Sequence, residues 1–271
     1  MRYGAMNNPL SPLMEEIDAI GNLGFDYLEL TLDSPNAHYT AISQQRDEIL
    51  ARLADYEMGL ICHLPTFVYM ADLTQSIRRA SVEETIRSAE AAAALNAELA
   101  VLHPPILNGL GRIAIEMAMD YGYESLSAAV ERGKQLGLNL CVENMSPSFG
   151  AFSGAEDFDE IFSRFPDLRM TIDIGHANID GRRGKKAIEL IERYADRLGH
   201  IHISDNRGRD DDHLPIGAGN IRFPKVLRAL KDTGYNKTIT LEIFTEDREY
   251  LTISQMKIEA MLDRLGPAPA R

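Results

Sequence analysis

Tryptophan is absent from this 271-residue sequence, and cysteine occurs only twice. Cys62 and Cys141 lie inside apolar runs, without CxxC spacing, so neither a disulfide framework nor a zinc knuckle is indicated and both read as reduced core residues. No stretch approaches the roughly 18 uncharged apolar residues of a transmembrane helix. Met1 to Asn8 lack the apolar run of a signal peptide, and the expectation is a cytoplasmic protein with no membrane partner. Positive charge is also scarce: 28 Lys and Arg against 41 Asp and Glu give −13 at pH 7. Such a field repels polyanions, and no evident set of basic and aromatic loop residues could grip and bend a duplex, so nucleic acid is disfavoured as a partner. Low complexity is confined to Gly266-Pro267-Ala268-Pro269-Ala270-Arg271, which reads as a tail at 266–271 after one domain spanning 1–265.

What is present is globular in proportion, with 45% hydrophobic and 25% charged residues. Short apolar runs alternate with longer amphipathic segments, the pattern of repeated βα units and a parallel sheet. Strands are predicted at Tyr3 to Met6, Tyr27 to Leu32, Gly59 to His63, Leu99 to His103, Asn139 to Glu143, Arg169 to Asp173, His200 to Ser204 and Thr238 to Phe244. Helices are predicted from Ser11-Pro12 to Gly21 or Gly24, then at about Ile42 to Tyr56, Ile77 to Leu95, Tyr121 to Leu136, Ala155 to Phe165, Lys185 to Tyr194, Phe223 to Thr233 and Glu246 to Leu265. Eight strands alternating with helices in this length fit a single (β/α)₈ barrel, for which roughly 250 residues is typical. The alternative, a doubly wound open sheet, lacks its glycine-rich phosphate turn after an early strand.

The strands end on chemistry. Cys62-His63, Leu102-His103, Val142-Glu143-Asn144, Ile172-Asp173-Ile174-Gly175-His176, Ile201-His202-Ile203-Ser204-Asp205 and Leu241-Glu242 each place a possible metal ligand at or near a strand's C-terminal end. A lone buried His or Glu is ordinarily a hydrogen-bonded core residue, but in a barrel these ends converge on the face that carries the active site. Several carboxylates buried together repel one another and lose hydration, and a cation among them offsets both costs. Imidazole with carboxylate and no thiolate suits Zn²⁺, Mn²⁺, Co²⁺ or Fe²⁺ rather than an oxygen cage for Ca²⁺, with Mg²⁺ less suited. Asp173-x-x-His176 and Asp211-x-His213 could add ligands to one pocket.

These motifs, with Gly24-Phe25-Asp26-Tyr27-Leu28-Glu29-Leu30, His103-Pro104, His200-Ile201-His202-Ile203-Ser204-Asp205-Asn206 and Asp211-Asp212-His213-Leu214-Pro215-Ile216-Gly217-Ala218-Gly219, resemble the xylose isomerase-like TIM barrel superfamily over nearly the whole chain. That superfamily includes sugar and sugar-phosphate isomerases and epimerases, and endonuclease IV (AP endonuclease family 2). In the epimerase branch the resemblance implies one metal on Glu143, Asp173, His202 and Glu242, with Glu143 and Glu242 as the catalytic acid/base pair. One removes a proton next to a carbonyl and the other returns it. It also implies a sugar or sugar phosphate as the small-molecule partner, and pairing into a homodimer is common among such barrels. His176 matches a position that binds substrate oxygen or metal, and Glu29 is placed where it could contact sugar hydroxyls or form an ion pair at the rim. His200 shares the face of His202 but lies deeper, as a supporting or core residue.

The endonuclease branch implies instead three zinc ions on nine ligands: His63, His103, Glu143, Asp173, His176, His202, Asp211, His213 and Glu242. His63, His103 and His176 therefore stand as candidate ligands or substrate contacts. Gly181-Arg182-Arg183-Gly184-Lys185-Lys186 opens a helix with four cations where the macrodipole favours anions, so Lys185 and Lys186 are candidates for a substrate phosphate or a solvated loop. Arg207 and Arg209 are similar candidates, or partners for Asp210, Asp211 or Asp212. A dehydratase using the same chemistry and a non-catalytic metal- or ligand-binding barrel are further alternatives.

Overall fold

The computed structural model describes residues 1–180 and 183–266. Its strands are β1 (Arg2–Met6), β2 (Tyr27–Thr31), β3 (Gly59–His63), β4 (Ala100–Leu102), β5 (Leu140–Glu143), β6 (Arg169–Asp173), β7 (Leu198–Ile203) and β8 (Thr238–Leu241). They pair in parallel in chain order, and β8 closes onto β1. The helices are α1 (Leu13–Asn22), α2 (Tyr39–Asp55), α3 (Gln75–Ala94), α4 (Ile115–Gln135), α5 (Phe158–Arg164), α6 (Lys185–Arg193), α7 (Phe223–Asp232) and α8 (Glu249–Arg264). This is the predicted single (β/α)₈ barrel. Among the described residues no helix is long and apolar enough to cross a membrane. Residues 267–271 of the predicted tail lie outside the described residues.

The helices form because one stripe of each can be buried on the sheet. In α7, Phe223, Val226, Leu227 and Leu230 recur at helical spacing and are buried, with Pro224 in the first turn where a missing N–H costs nothing. The differences from the predicted bounds have local causes. Helix α4 starts at Ile115 rather than Tyr121, because Ile115 and Met117 are apolar yet face solvent and blur the periodicity. Helix α2 starts at Tyr39 because His38 caps it, its ring nitrogen accepting from the Thr40 N–H. The segment predicted from Ala155 splits into a 3₁₀ turn at Ala155–Asp157 and α5.

Alternation along the strands separates two cores. Leu28, Leu30, Leu60, Val142, Ile172, Ile201, Ile203, Ile239 and Leu241 pack outward under the helices. Their neighbours point into the barrel, where Tyr27 fills the space over Gly4. A Cβ on Gly4 would stand 2.3 Å from the Tyr27 ring, so this pair works only as a large residue against none.

One irregularity decides the site. Met170 pairs with Leu198 but Thr171 pairs with His200, leaving Gly199 as an extra residue in β7. Leu198 packs in the outer core, and a Cβ on Gly199 would meet Cys141 Sγ at 2.5 Å. The bulge shifts the phase of the strand by one residue, so that His200 and His202 point inward while Ile201 and Ile203 face the helices.

Candidate metal centre and active site

Four chain-distant side chains meet at the C-terminal mouth. Glu143 ends β5, Asp173 ends β6, His202 lies opposite Asp173 on β7, and Glu242 follows β8, its N–H still bonded to the Ile203 carbonyl. One donor atom from each lies within 4.8 Å of the others. His202 Nδ1 stands 3.4 Å from Glu143 Oε1, 3.5 Å from Glu242 Oε2 and 3.9 Å from Asp173 Oδ2. His202 Nδ1 and Glu242 Oε2 are buried without a hydrogen-bond partner. Buried polar atoms are otherwise almost always paired, so orphaned donor atoms converging on one point, imidazole and carboxylate without thiolate, fit a divalent cation.

Around these four lies a continuous outer set. Glu143 Oε2 is 3.2 Å from His63 Nε2 and 3.4 Å from His103 Nε2, and Glu143 Oε1 is 3.2 Å from His176 Nδ1. His176 Nε2 reaches Asp211 at 3.0 Å, and Asp211 reaches His213 Nε2 at 3.1 Å. All nine residues named for the three-metal arrangement therefore join one contact network. Asp211 and His213, with side chains 27% and 20% exposed, form its solvent edge.

Backbone-directed bonds fix these positions. Asn144 continues the ladder beyond β5 with its side chain: its Oδ1 accepts from Asp173 N and its amide donates to the Asp173 carbonyl. Asp173 Oδ1 accepts from the His176 N–H, and His176 Nδ1 lies 2.9 Å from the Asn144 carbonyl. The loop carrying Asp211 and His213 is gathered by buried Asp205, which accepts from the N–H groups of Asn206, Gly217, Gly219 and Ile221 and pairs its backbone with Leu214. Asp205→Ala would leave several N–H groups unpaired at about 1–3 kcal/mol each. The expected result is a large loss of thermal stability together with displacement of His213, seen as a changed His213 chemical shift; wild-type melting would remove this role. Asn144 directly follows the strand-end ligand Glu143 and Asp205 lies two residues beyond β7, yet the sequence assigns neither a site role.

Charge is balanced by protons in the metal-free cluster. Burial opposes ionisation of Glu143, but the charge of His202 and bonds from His103, His176 and His202 hold its carboxyl well below the usual range. Asp173 is pushed well above it by burial, with Glu242, Glu143 and Asp211 adding repulsion. Burial works against the imidazolium forms of His202 and His176, yet Glu29 and Glu143 raise the first and Asp173 and Asp211 the second, both well above ordinary histidine. His213 rises to about 9 for the same reason, against burial, through Glu242 and Asp211.

Other predicted contacts are placed elsewhere. Glu29 does not stand at the rim: it is fully enclosed in the barrel, 2.9 Å from both His200 Nε2 and His202 Nε2, so it cannot touch sugar hydroxyls. Its position at the middle of β2, two residues before the strand ends, puts it below the mouth. His200 is buried beside it, as expected. Lys186 is buried with its ammonium 3.2 Å from Asp180, which takes up the charge offered to a phosphate; Lys185 is exposed. Gly181 and Arg182 lie outside the described residues. Arg207 and Arg209 are exposed, and the Arg207 backbone N–H donates to Asp212. Phe149 and Phe244, unremarked in the sequence, pack against the site imidazoles His103 (tilted) and His213 (edge-on) at 6.4 and 4.9 Å between ring centroids.

A closed parallel barrel with a buried histidine and carboxylate cluster at its C-terminal mouth defines the class. The chain belongs to the xylose isomerase-like TIM barrel family, whose model matches residues 17–264. The uncharacterized protein MJ1311 of Methanocaldococcus jannaschii is 31% identical over 89% of this chain and 83% of its own. Fructoselysine 3-epimerase of Escherichia coli is 23% identical, covering 93% of this chain and 94% of its own. Among known structures, a D-tagatose 3-epimerase-like protein superposes with a TM-score of 0.87 at 26% identity over 98% of both chains. D-psicose 3-epimerase from Clostridium cellulolyticum H10 superposes at 0.78 with 16% identity, over 99% of this chain and all of its own, a likeness of fold.

Proposed function

We propose that this chain is a metal-dependent epimerase or isomerase of a small sugar or sugar phosphate, with Zn²⁺, Mn²⁺ or Co²⁺ held by Glu143, Asp173, His202 and Glu242. The observation that carries this reading is the convergence of those four donor sets, with His202 Nδ1 and Glu242 Oε2 buried and unpaired. The names of the 3-epimerase relatives support a sugar as substrate. When bound, the cation polarises the substrate carbonyl and supplies positive charge where its oxygen becomes anionic.

The chain's own residues do the proton work. Glu143 and Glu242 both lie within 3.5 Å of His202 Nδ1, and on this reading the reacting carbon sits beside the metal position with one of these carboxylates serving each of its faces. One carboxylate accepts the proton from the carbon beside the carbonyl; the other, protonated, returns one to the opposite face, and inversion follows. Glu242, with a side chain 12% exposed against 1% for Glu143, meets the substrate from the mouth. His63, His103 and His176 line the same pocket and orient hydroxyls. Lys185, Arg207 and Arg209 are exposed cations available to a phosphate.

The test is incubation with ketoses and their phosphates in deuterated water with each metal. Deuterium at the carbon beside the carbonyl, together with the epimer, supports the reading; a protein that binds metal yet exchanges no proton from any of them sinks it. A second reading has its own observation: the nine-residue network suits three zinc ions and hydrolysis of a phosphodiester. Zinc near three per chain with nicking of an abasic duplex would favour it, against the repulsion of a chain carrying −13.

A further inference from the structure

The barrel interior below the mouth is polar where such barrels ordinarily carry branched apolar layers. Glu29, His200, Thr238, Thr240 and Tyr27 are all buried, and together they form a chain of hydrogen bonds ending at His202. Glu29 Oε1 lies 2.9 Å from His202 Nε2, and Glu29 Oε2 lies 2.9 Å from His200 Nε2. His200 Nδ1 is 2.7 Å from the Thr238 hydroxyl, and Thr240 Oγ1 links His200 Nε2 at 3.1 Å to Tyr27 OH at 3.0 Å. Each Glu29 oxygen faces one imidazole Nε2, and a carboxylate between two ring nitrogens accepts from both. Both Nε2 atoms therefore carry the hydrogen. The Thr238 hydroxyl donates to His200 Nδ1, which leaves His200 Nε2–H for Glu29.

We propose that Glu29 is a positioning residue for the metal centre: it fixes His202 in the orientation and tautomer that turn Nδ1 toward Glu143, Asp173 and Glu242, and His200 holds Glu29 in place. This rests on the reading that those four residues bind a cation. Glu29 touches neither substrate nor metal. It acts by making Nδ1 the ligand atom and by increasing its basicity, as carboxylates behind ligating histidines do. In Glu29→Gln the amide can accept from only one of the two rings. Where its NH₂ faces His202, Nε2 must accept and Nδ1 takes the hydrogen, which blocks the ligand.

The test titrates metal-free wild type and Glu29→Gln with Zn²⁺ and Mn²⁺ against a competing chelator, and records ¹⁵N spectra of labelled histidines in the zinc-loaded proteins. The expected result is an affinity lower by roughly 10- to 100-fold and a His202 signal shifted away from the Nε2–H tautomer. A folded Glu29→Gln that melts earlier but binds both metals as tightly as wild type, with an unchanged His202 signal, would show a structural role only and overturn the proposal. Should Glu29→Gln fail to fold, Glu29→Asp keeps the anion but is one methylene shorter and cannot span both rings; a several-fold weaker affinity is expected, and wild-type affinity overturns the proposal. Wild type that binds neither metal overturns the four-ligand reading itself, and this role with it.

Discussion

Glu242→Gln is expected to lower turnover of the preferred sugar by roughly 10²- to 10⁴-fold, the usual contribution of one positioned acid or base and about 3 to 5 kcal/mol of barrier. The amide preserves shape but takes no proton. Because Glu242 is the most exposed of the four proposed ligands, the variant should fold and retain measurable metal. Glu143→Ala should behave differently. Glu143 is buried and contacts His63, His103, His176 and His202, so its loss removes the hub of the cluster. Metal is expected to be lost as well as activity. Elemental analysis of both variants beside steady-state kinetics checks this; undiminished turnover in Glu242→Gln would remove the proton-transfer role.

Metal affinity is expected to climb at least tenfold per pH unit between about pH 6 and 9, because a cation must displace protons that the metal-free cluster holds. His202 and His176 remain protonated well above ordinary histidine, His213 up to about 9, and Asp173 keeps its proton well above the carboxylate range. For the three histidines the folded value exceeds the unfolded one. Their contribution to the metal-free fold is therefore full below about pH 6.5 and lost as pH rises through the folded values. The raised Asp173 value works in the same direction, its cost growing as pH rises above 3.8. Glu143, lowered in the fold, acts at the acid end, where its contribution is lost as pH falls below about 4.5. Metal-free protein should thus melt progressively earlier from pH 6.5 to 9, while excess metal opposes the loss. Thermal melts with metal and with chelator should diverge as pH rises; a constant gap would contradict proton displacement.

Much of this arrangement was legible in the residues because strand alternation is local. A ligand at the end of an apolar run, as in Ile172-Asp173 or Val142-Glu143, announces both its strand and its end. Spacing alone also showed that His200 and His202 share a face. It did not show which face, since that depends on the bulge at Gly199 and on the register with β6.

Glu29 illustrates what was out of reach. Its motif placed it on β2, but the two imidazoles that engage it lie 171 and 173 residues away. The ion pair expected of Glu29 is present, but it forms inside the barrel rather than at the rim. Lys186 is similar: a local run of cations suggested either an anion site or a solvated loop, and the contact of Lys186 with Asp180 is visible only in the fold.

By itself, then, the sequence determined the eight βα units, the closed barrel and the strand ends that carry His, Asp and Glu, because periodicity and strand-end chemistry act over a few residues. Only the tertiary structure decided which of those groups touch, that Glu29 sits beneath His202 rather than before a substrate, and that Asp205 gathers the loop of Asp211 and His213. Those outcomes follow from barrel closure, which brings distant strands into a fixed stagger that no local pattern encodes.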